Sequence, residues 1–281
     1  MVGTAAHTRQ PEHSGAEGPR PSRTLDRGRL VRDLRTVVRG EVRFDEASRH
    51  LYANDASIYR TVPVGVVIPR DDTDVVTALE VCRRHRAPVL ARGAGTGPSG
   101  QSVNAAVIFD FSKYMNRILD LDTQARTATV QPGVICDQLR DAAMEHDLTF
   151  APDPATHDHN TLGGMIGNNS CGTHSVYGGK TVDNVLELDI VLYDGTRMTV
   201  GVDEEEDLDR IIGAGGRRGE IYSALRDLRD EFGDLVRERF PGSRVGCPAT
   251  TSTTCFPRRG SARPAPWWAA SAPAPWCSRR R

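Results

Sequence analysis

The 281-residue sequence has no run of about 18 apolar positions, and without one no membrane-spanning helix is expected. It has no surplus of positive charge: 36 Lys and Arg stand against 37 Asp and Glu, for a net charge of -1. A chain so balanced carries no excess of cations to neutralise a phosphate backbone or to hold an anionic membrane, so no nucleic-acid partner is expected. Residues 1–22 contain no hydrophobic stretch of the secretory type, and a cytoplasmic protein follows as the expectation. Cysteines are few. Cys82, Cys136, Cys171, Cys247, Cys255 and Cys277 show no C-x-x-C spacing, which argues against zinc and iron–sulfur frameworks and for free thiols in a reducing compartment.

The length that remains is enough for one large domain or two modest ones with a self-sustaining core. Residues 1–24 hold almost nothing apolar and read as a disordered leader. From 25 to about 240 the pattern is that of a folded domain. Leu30, Val31, Leu34, Val37 and Val38 recur at helical spacing, with Gly40 where a C-terminal cap would stand. Phe44 to Thr61 reads as irregular. Val64 to Pro69 is a buried-type strand, Asp71 to Asp74 offer N-cap oxygens to a helix ending at Arg83-Arg84-His85-Arg86, and Pro88 to Ala91 resume a strand. Short strands are predicted over Ala106 to Phe111, Arg117 to Leu121, Thr127 to Val130 and Leu186 to Leu192, with a helix over Val134 to His146. The class is α+β.

Arg92-Gly93-Ala94-Gly95-Thr96-Gly97-Pro98-Ser99-Gly100-Gln101 follows directly on a predicted strand. Its glycines leave successive backbone N–H groups free to wrap a diphosphate, which points to a nucleotide cofactor. A Rossmann NAD site is the rival, because Asp110 falls where the ribose-binding acid belongs. That unit needs a helix of about three turns between glycines and acid, and only Pro98 to Ala106 are available, interrupted by Pro98 and Gly100.

A second glycine segment lies downstream: Pro152-Asp153-Pro154, then Thr161-Leu162-Gly163-Gly164-Met165-Ile166-Gly167-Asn168-Asn169-Ser170-Cys171-Gly172. Its glycines let backbone lie flat against a planar ligand, while Asn168, Asn169 and Ser170 add hydrogen-bonding groups. Together with Tyr52-Ala53-Asn54-Asp55-Ala56-Ser57, Val130-Gln131-Pro132-Gly133 and Gly179-Lys180-Thr181-Val182-Asp183-Asn184-Val185, these segments give a chain that, from about Arg43 to Glu238, resembles the FAD-linked oxidase family. That family has the vanillyl-alcohol-oxidase or PCMH-type FAD-binding fold with two α/β subdomains. The resemblance is to its D-lactate, glycolate and 2-hydroxyglutarate dehydrogenase branch, and Asn54 to Arg60 looks most like the form fused to an iron–sulfur half.

The resemblance implies that Arg92, Gly93, Ala94, Gly95, Thr96, Gly97, Ser99, Gly100, Gln101 and Ser102 hold the pyrophosphate. It also implies that Pro152, Thr161, Gly164, Gly167, Asn168, Ser170 and Gly172 line the flavin and ribityl chain, and that Ile190 meets the adenine. Covalent members typically place a histidine in the first loop; none occurs from Arg92 to Gln101, so non-covalent FAD is implied. In complete relatives the flavin N5 takes a hydride from C2 of a small-molecule 2-hydroxy acid, and groups of a following cap domain bind the carboxylate and accept the proton. No catalytic residue and no electron acceptor is assigned. The two functional readings are an incomplete dehydrogenase and a non-catalytic flavin-binding remnant.

Other clusters have plainer readings. His157-Asp158-His159 is read as a solvated loop and no metal site is assigned; Cys171 is read as a buried structural thiol; Asp203 to Asp207 is read as a solvated surface turn. Residues 241–281 carry all 3 tryptophans, many prolines and no period, and no packed element is expected there. A shifted reading frame is the expectation for them. Read one base out of phase, Trp267-Trp268 forces Val and Trp268-Ala269 forces Gly, within a possible Leu-Val-Gly-Ser-Glu that resembles the family's sequence at this place. The coding DNA decides the matter: the idea requires a restored frame that matches the family downstream.

Overall fold

A computed structural model describes residues 25–201, 205–239, 273–275 and 277–278. The expected leader, 1–24, lies outside the described residues, as does most of 241–281. The chain folds as two α/β halves, an α+β arrangement in which glycine-rich connections from each half face a shared cleft.

The first half begins with helix α1 (Arg27–Val37), whose N-cap Asp26 accepts a hydrogen bond from the Arg29 N–H at 3.0 Å. Strand β1 (Glu41–Arg43) and a short helix α2 (Glu46–Leu51) follow, then β2 (Gly65–Ile68), α3 (Asp72–Arg84), β3 (Val89–Arg92) and β4 (Val107–Asp110). The sheet order is β1-β2-β4-β3. Strands β2 and β3 run parallel to β4, and β1 is antiparallel to β2. Every residue of β2 and β4 is buried, as a strand covered on both faces requires. The two-residue alternation sends Val67, Val107 and Phe109 toward α1 and α3, where Leu30, Leu34, Ala78 and Cys82 close the core, and Val66, Ile68 and Ile108 toward Tyr52, Leu90 and Tyr114. Each fully buried aliphatic or aromatic side chain here contributes roughly 1.5–3 kcal/mol.

The βαβ unit stands where the sequence places it. Asp71 caps α3 through the Asp74 N–H at 3.1 Å. Two expectations for this half are corrected. Phe44 to Thr61 is not wholly irregular, because Asp45 caps α2 through the Ser48 N–H at 2.8 Å. Gly40 is not a left-handed cap: its φ is not positive, and it is small because a Cβ there would come within 2.1 Å of the Ile68 carbonyl.

The second half comprises the hairpin β5 (Ile118–Asp122) and β6 (Thr127–Val130), helix α4 (Cys136–Met144), β7 (Leu148–Thr149), α5 (Leu162–Asn168), α6 (Ser175–Gly178), a 3-10 turn over Thr181–Asn184, the hairpin β8 (Glu187–Val191) and β9 (Arg197–Gly201), α7 (Glu205–Gly213) and α8 (Gly216–Arg239). Val130, Leu139, Ala143, Phe150, Leu162 and Met165 form its main core. Leu188, Val200, Ile211 and Tyr222 form another under the β8–β9 hairpin. The acidic run expected as a turn leads into α7 from Glu205; residues 202–204 lie outside the described residues.

Within 241–281, where no packed element is expected, two short strands are described: β10 (Pro273–Pro275), antiparallel to β6, and β11 (Cys277–Ser278), antiparallel to β7. Main-chain pairing at a sheet edge requires no side-chain period, so composition does not reveal it. Among the described residues no helix is long and apolar enough to cross a membrane.

Candidate functional site

The carboxyl ends of parallel strands are where ligands of α/β sheets bind, because the connections there leave backbone N–H groups free. The loop 93–102 leaves β3 at that end, and no helix forms before β4. It opens on a cleft of about 1730 Å³ whose far wall is built by α5 and by the β8–β9 hairpin. Of the residues implied for the cofactor, Arg92, Gly93, Ala94, Gly95, Thr96, Gly97, Ser99, Gln101, Ser102, Thr161, Gly164, Gly167, Asn168, Ser170 and Ile190 line this cleft.

The two glycine segments meet each other. A Cβ on Gly93 would fall 1.9 Å from Thr161 Oγ1, so only glycine allows this approach. Thr161 is buried and caps α5, its hydroxyl accepting from the Gly164 N–H at 3.3 Å. Farther along, Gln101 Nε2 donates to Asn168 Oδ1 at 2.7 Å. A Cβ on Gly97 would strike the Gln101 amide at 2.2 Å. By contrast, a Cβ on Gly167 would meet nothing within 4 Å, which leaves that face of α5 open to the cleft.

The segment expected to lie flat against a planar ligand is a helix from Leu162. Leu162 and Met165 anchor it in the core, and this burial outweighs the poor helix propensity of its three glycines. The Val130 to Gly133 motif sets its start: the Pro132 carbonyl accepts from the Gly163 N–H at 2.9 Å and the Val134 carbonyl from the Leu162 N–H at 2.8 Å. The Gly179 to Val185 motif props its end. Thr181 Oγ1 donates to the Ser170 carbonyl at 2.7 Å, and the Val182 N–H donates to Asn169 Oδ1 at 3.0 Å.

Three implied residues stand outside the cleft lining and support it from behind. Gly100, at φ +77°, lies against the Tyr59 ring. Pro152 is buried, its carbonyl accepting from the Cys136 thiol at 3.6 Å. Gly172 has no room for a Cβ, which would come within 2.0 Å of the Asp153 carbonyl. Arg92 reaches the cleft, but its guanidinium is engaged elsewhere, donating to the carbonyls of Tyr52 at 3.2 Å, Ser102 at 3.0 Å and Asn54 at 2.7 Å. Burial holds that guanidinium below its usual range, against the opposing pull of Asp55 and Asp110.

Asp110, the acid on which the NAD reading would depend, is buried and fully occupied. Its carboxylate accepts from Tyr52 Oη at 2.5 Å, the Ser112 N–H at 2.8 Å and Ser112 Oγ at 2.7 Å. Burial, then the bond to Asp110, raises the Tyr52 phenol above its ordinary value. No ribose can be read by a carboxylate so used.

Cys171 is partly exposed on the cleft wall, a correction to the buried thiol expected from sequence. Among the described residues the buried thiols are Cys82 and Cys136, and burial pushes both up to about 12. His157 pairs through Nδ1 with Asp137 Oδ2 at 2.6 Å, and His159 with Asp158 Oδ1 at 2.9 Å. Sequence reasoning missed Asn160, whose Oδ1 is buried without a partner, and quoted Asn169 without assigning it, although its Nδ2 is likewise unpartnered. Both residues line the cleft. Buried polar atoms are rarely left unpaired, and a ligand rich in acceptors and donors along one edge answers both.

Residues 63–201 match the family of the FAD binding domain. They are an FAD binding domain. The residues present fit this cofactor: free amides on one loop, an open glycine face on α5, and two unpartnered amide groups on the cleft wall. The chain is 37% identical over 206 residues to the D-2-hydroxyglutarate dehydrogenase of Pseudomonas putida, covering 72% of this chain and 20% of that protein. It is 36% identical over 183 residues to glycolate oxidase subunit GlcD of Escherichia coli K12, covering 64% of this chain and 36% of that subunit. In fold it is similar to 6-hydroxy-D-nicotine oxidase from Arthrobacter nicotinovorans, with a TM-score of 0.53 at 24% identity over 61% of this chain and 38% of that one. The chain therefore spans well under half the length of these relatives.

Proposed function

We propose that this chain binds FAD non-covalently in the cleft and is the cofactor-binding part of a flavin-dependent dehydrogenase of 2-hydroxy acids of the D-lactate and glycolate type. The observation that carries the reading is the contact of two glycine segments, at Gly93 with Thr161 and at Gln101 with Asn168, over a single cleft. In this reading residues 25–240 are the folded unit, onto which β10 and β11 add as edge strands. The pyrophosphate lies on the amides of residues 93–102, the flavin and ribityl chain along Thr161, Gly164, Gly167, Asn168 and Ser170, and the adenine at Ile190. Gly100, Pro152 and Gly172 shape these loops from outside the cleft, and Arg92 positions the first of them.

FAD, when bound, supplies the acceptor for the hydride from C2 of the substrate. The chain's own residues bind and orient it. Among the described residues lining the cleft, the basic side chains are Arg92 and Arg197, and no histidine lines it. Arg92 is held by three carbonyls, and Arg197 donates to the Asp72 carbonyl at 3.3 Å. The groups that fix a substrate carboxylate and accept its proton are accordingly assigned to residues beyond those described. That observation favours a second reading of this chain taken alone, as a flavin-binding module without turnover. A cytoplasmic location and an electron acceptor not yet named belong to the same proposal.

The test is an anaerobic challenge of the FAD-loaded chain with D-2-hydroxyglutarate, D-lactate and glycolate. Flavin bands that persist are expected. Bands that bleach with one acid would show that the chain completes its own substrate site.

A further inference from the structure

The loop 93–102 is not held by the matched domain alone. Residues 52–60, which precede that domain, wrap around it. Arg92, at the loop's entry, sends its guanidinium into the carbonyls of Tyr52 and Asn54 and stacks over the Tyr52 ring with its centre 5.4 Å from the centroid. The same guanidinium takes the Ser102 carbonyl at the loop's exit. From the other side Asp55 accepts from Ser102 Oγ at 2.8 Å, while its second oxygen accepts from the Ser57 N–H at 2.8 Å. The middle of the loop is tied as well, because the Ala56 N–H donates to the Gly95 carbonyl at 3.0 Å. The strap closes on itself through the Thr61 N–H to the Ala53 carbonyl at 3.0 Å and a bridge between Asn54 and Arg60.

We propose that residues 52–60 are a positioning strap for the cofactor loop, with Arg92 and Asp55 as positioning residues that fix the loop's entry, middle and exit without touching the cofactor. Both ends of a glycine-rich loop are thereby fixed to a third segment, which removes the freedom its glycines would otherwise keep. The carbonyls of 52, 54 and 102 are consumed by Arg92, and that of Gly95 by Ala56. The loop carbonyls at 95 and 102, which would repel a phosphate, are therefore spoken for, while amides of the same loop stay available to the cleft. The guanidinium acts by organising carbonyls and not by meeting an anion.

This inference rests on FAD as the ligand of the cleft, and two measurements on the full chain separate the two ideas. The first is amide hydrogen exchange without cofactor, comparing wild type with Arg92→Lys, Asp55→Ala and Asp55→Asn. Lysine keeps the charge but loses the fork that reaches three carbonyls at once. Faster exchange at the Ala56 amide, which is bonded to the Gly95 carbonyl, and at Thr61, bonded to the Ala53 carbonyl, is expected for Arg92→Lys and Asp55→Ala, with protection in the helices and strands retained. Asp55→Asn keeps one oxygen acceptor and is expected to recover most of the protection. Exchange at Ala56 and Thr61 unchanged in both disruptive variants would overturn the strap, whatever the chain binds. The second is FAD affinity. Arg92→Lys and Asp55→Ala are expected to weaken it roughly tenfold to a hundredfold, the range for losing hydrogen bonds to a charged group, with the visible flavin spectrum of the bound form unchanged. A wild-type chain that retained no FAD would contradict the proposed function, and the exchange result would still decide the strap.

Discussion

Gln101 and Asn168 stand 67 positions apart in sequence, yet the Gln101 side-chain amide donates to the Asn168 carbonyl oxygen at 2.7 Å. The bond ties the loop after β3 to the last residue of α5 and so joins the two halves of the domain across the cleft. Gln101→Ala and Asn168→Ala should each weaken FAD binding about fivefold, the effect of one hydrogen bond near 1 kcal/mol. The double variant should weaken it by less than the product of the two, a coupling that a double-mutant cycle on dissociation constants reads directly. Multiplicative effects would mean that the pair does not act as a unit.

Gly93 and Gly167 make opposite predictions. Alanine at 93 drives a Cβ to within 1.9 Å of Thr161 Oγ1; it should abolish FAD binding and lower stability by roughly 1–3 kcal/mol, as overpacking does. Alanine at 167 meets no protein atom within 4 Å. It should leave the thermal midpoint unchanged or raise it, since Ala exceeds Gly by up to about 1 kcal/mol in a helix, while the added methyl obstructs the cleft and weakens FAD. A Gly167→Ala chain that bound FAD as wild type does would show that α5 does not face the cofactor.

Much of this site is legible in the sequence, and the parts that are not share a physical cause. The strand that launches the first loop, the cap of α3 and both glycine segments follow from local patterns, and so does the rejection of a Rossmann helix between Gly97 and Asp110. The helix α5 is hidden because Gly163, Gly164 and Gly167 argue against it locally, and only the burial of Leu162 and Met165 in a core built by distant residues overrides them. The true partners of Arg92 are hidden for a similar reason: they are backbone carbonyls of residues 52, 54 and 102, and no spacing rule identifies a carbonyl.

Asp74 is fully buried in the first half, where its carboxylate accepts from the backbone N–H groups of Arg39, Gly40 and Arg70, each at 2.9 Å. Asp74→Ala leaves three amides without an acceptor and should cost roughly 3–5 kcal/mol. Urea denaturation should show a lower midpoint with an unchanged slope. A loss under about 1 kcal/mol would mean that water replaces the carboxylate.

Glu41 links β1 to the turn after β4. Hydrogen bonds from Lys113 first, then Tyr114, with burial opposing and Arg43 assisting, hold its carboxyl down from an ordinary 4.5 to about 2. A depressed carboxylate stabilises the fold above its unfolded value and loses that contribution as the pH falls. Stability should therefore decline as the pH falls from about 4.5 toward 2. Glu41→Gln should remove part of that slope in denaturation measured across this window, and an identical slope in the variant would place the interaction in solvent.

The most direct measurement loads the purified chain with FAD, removes free cofactor by gel filtration, and then precipitates the protein with acid. A flavin spectrum that travels with the protein and is released intact into the acid supernatant is the predicted result. Protein that emerges without flavin bands, or flavin that stays with the precipitate, would contradict a non-covalent FAD site built from the loop 93–102 and helix α5.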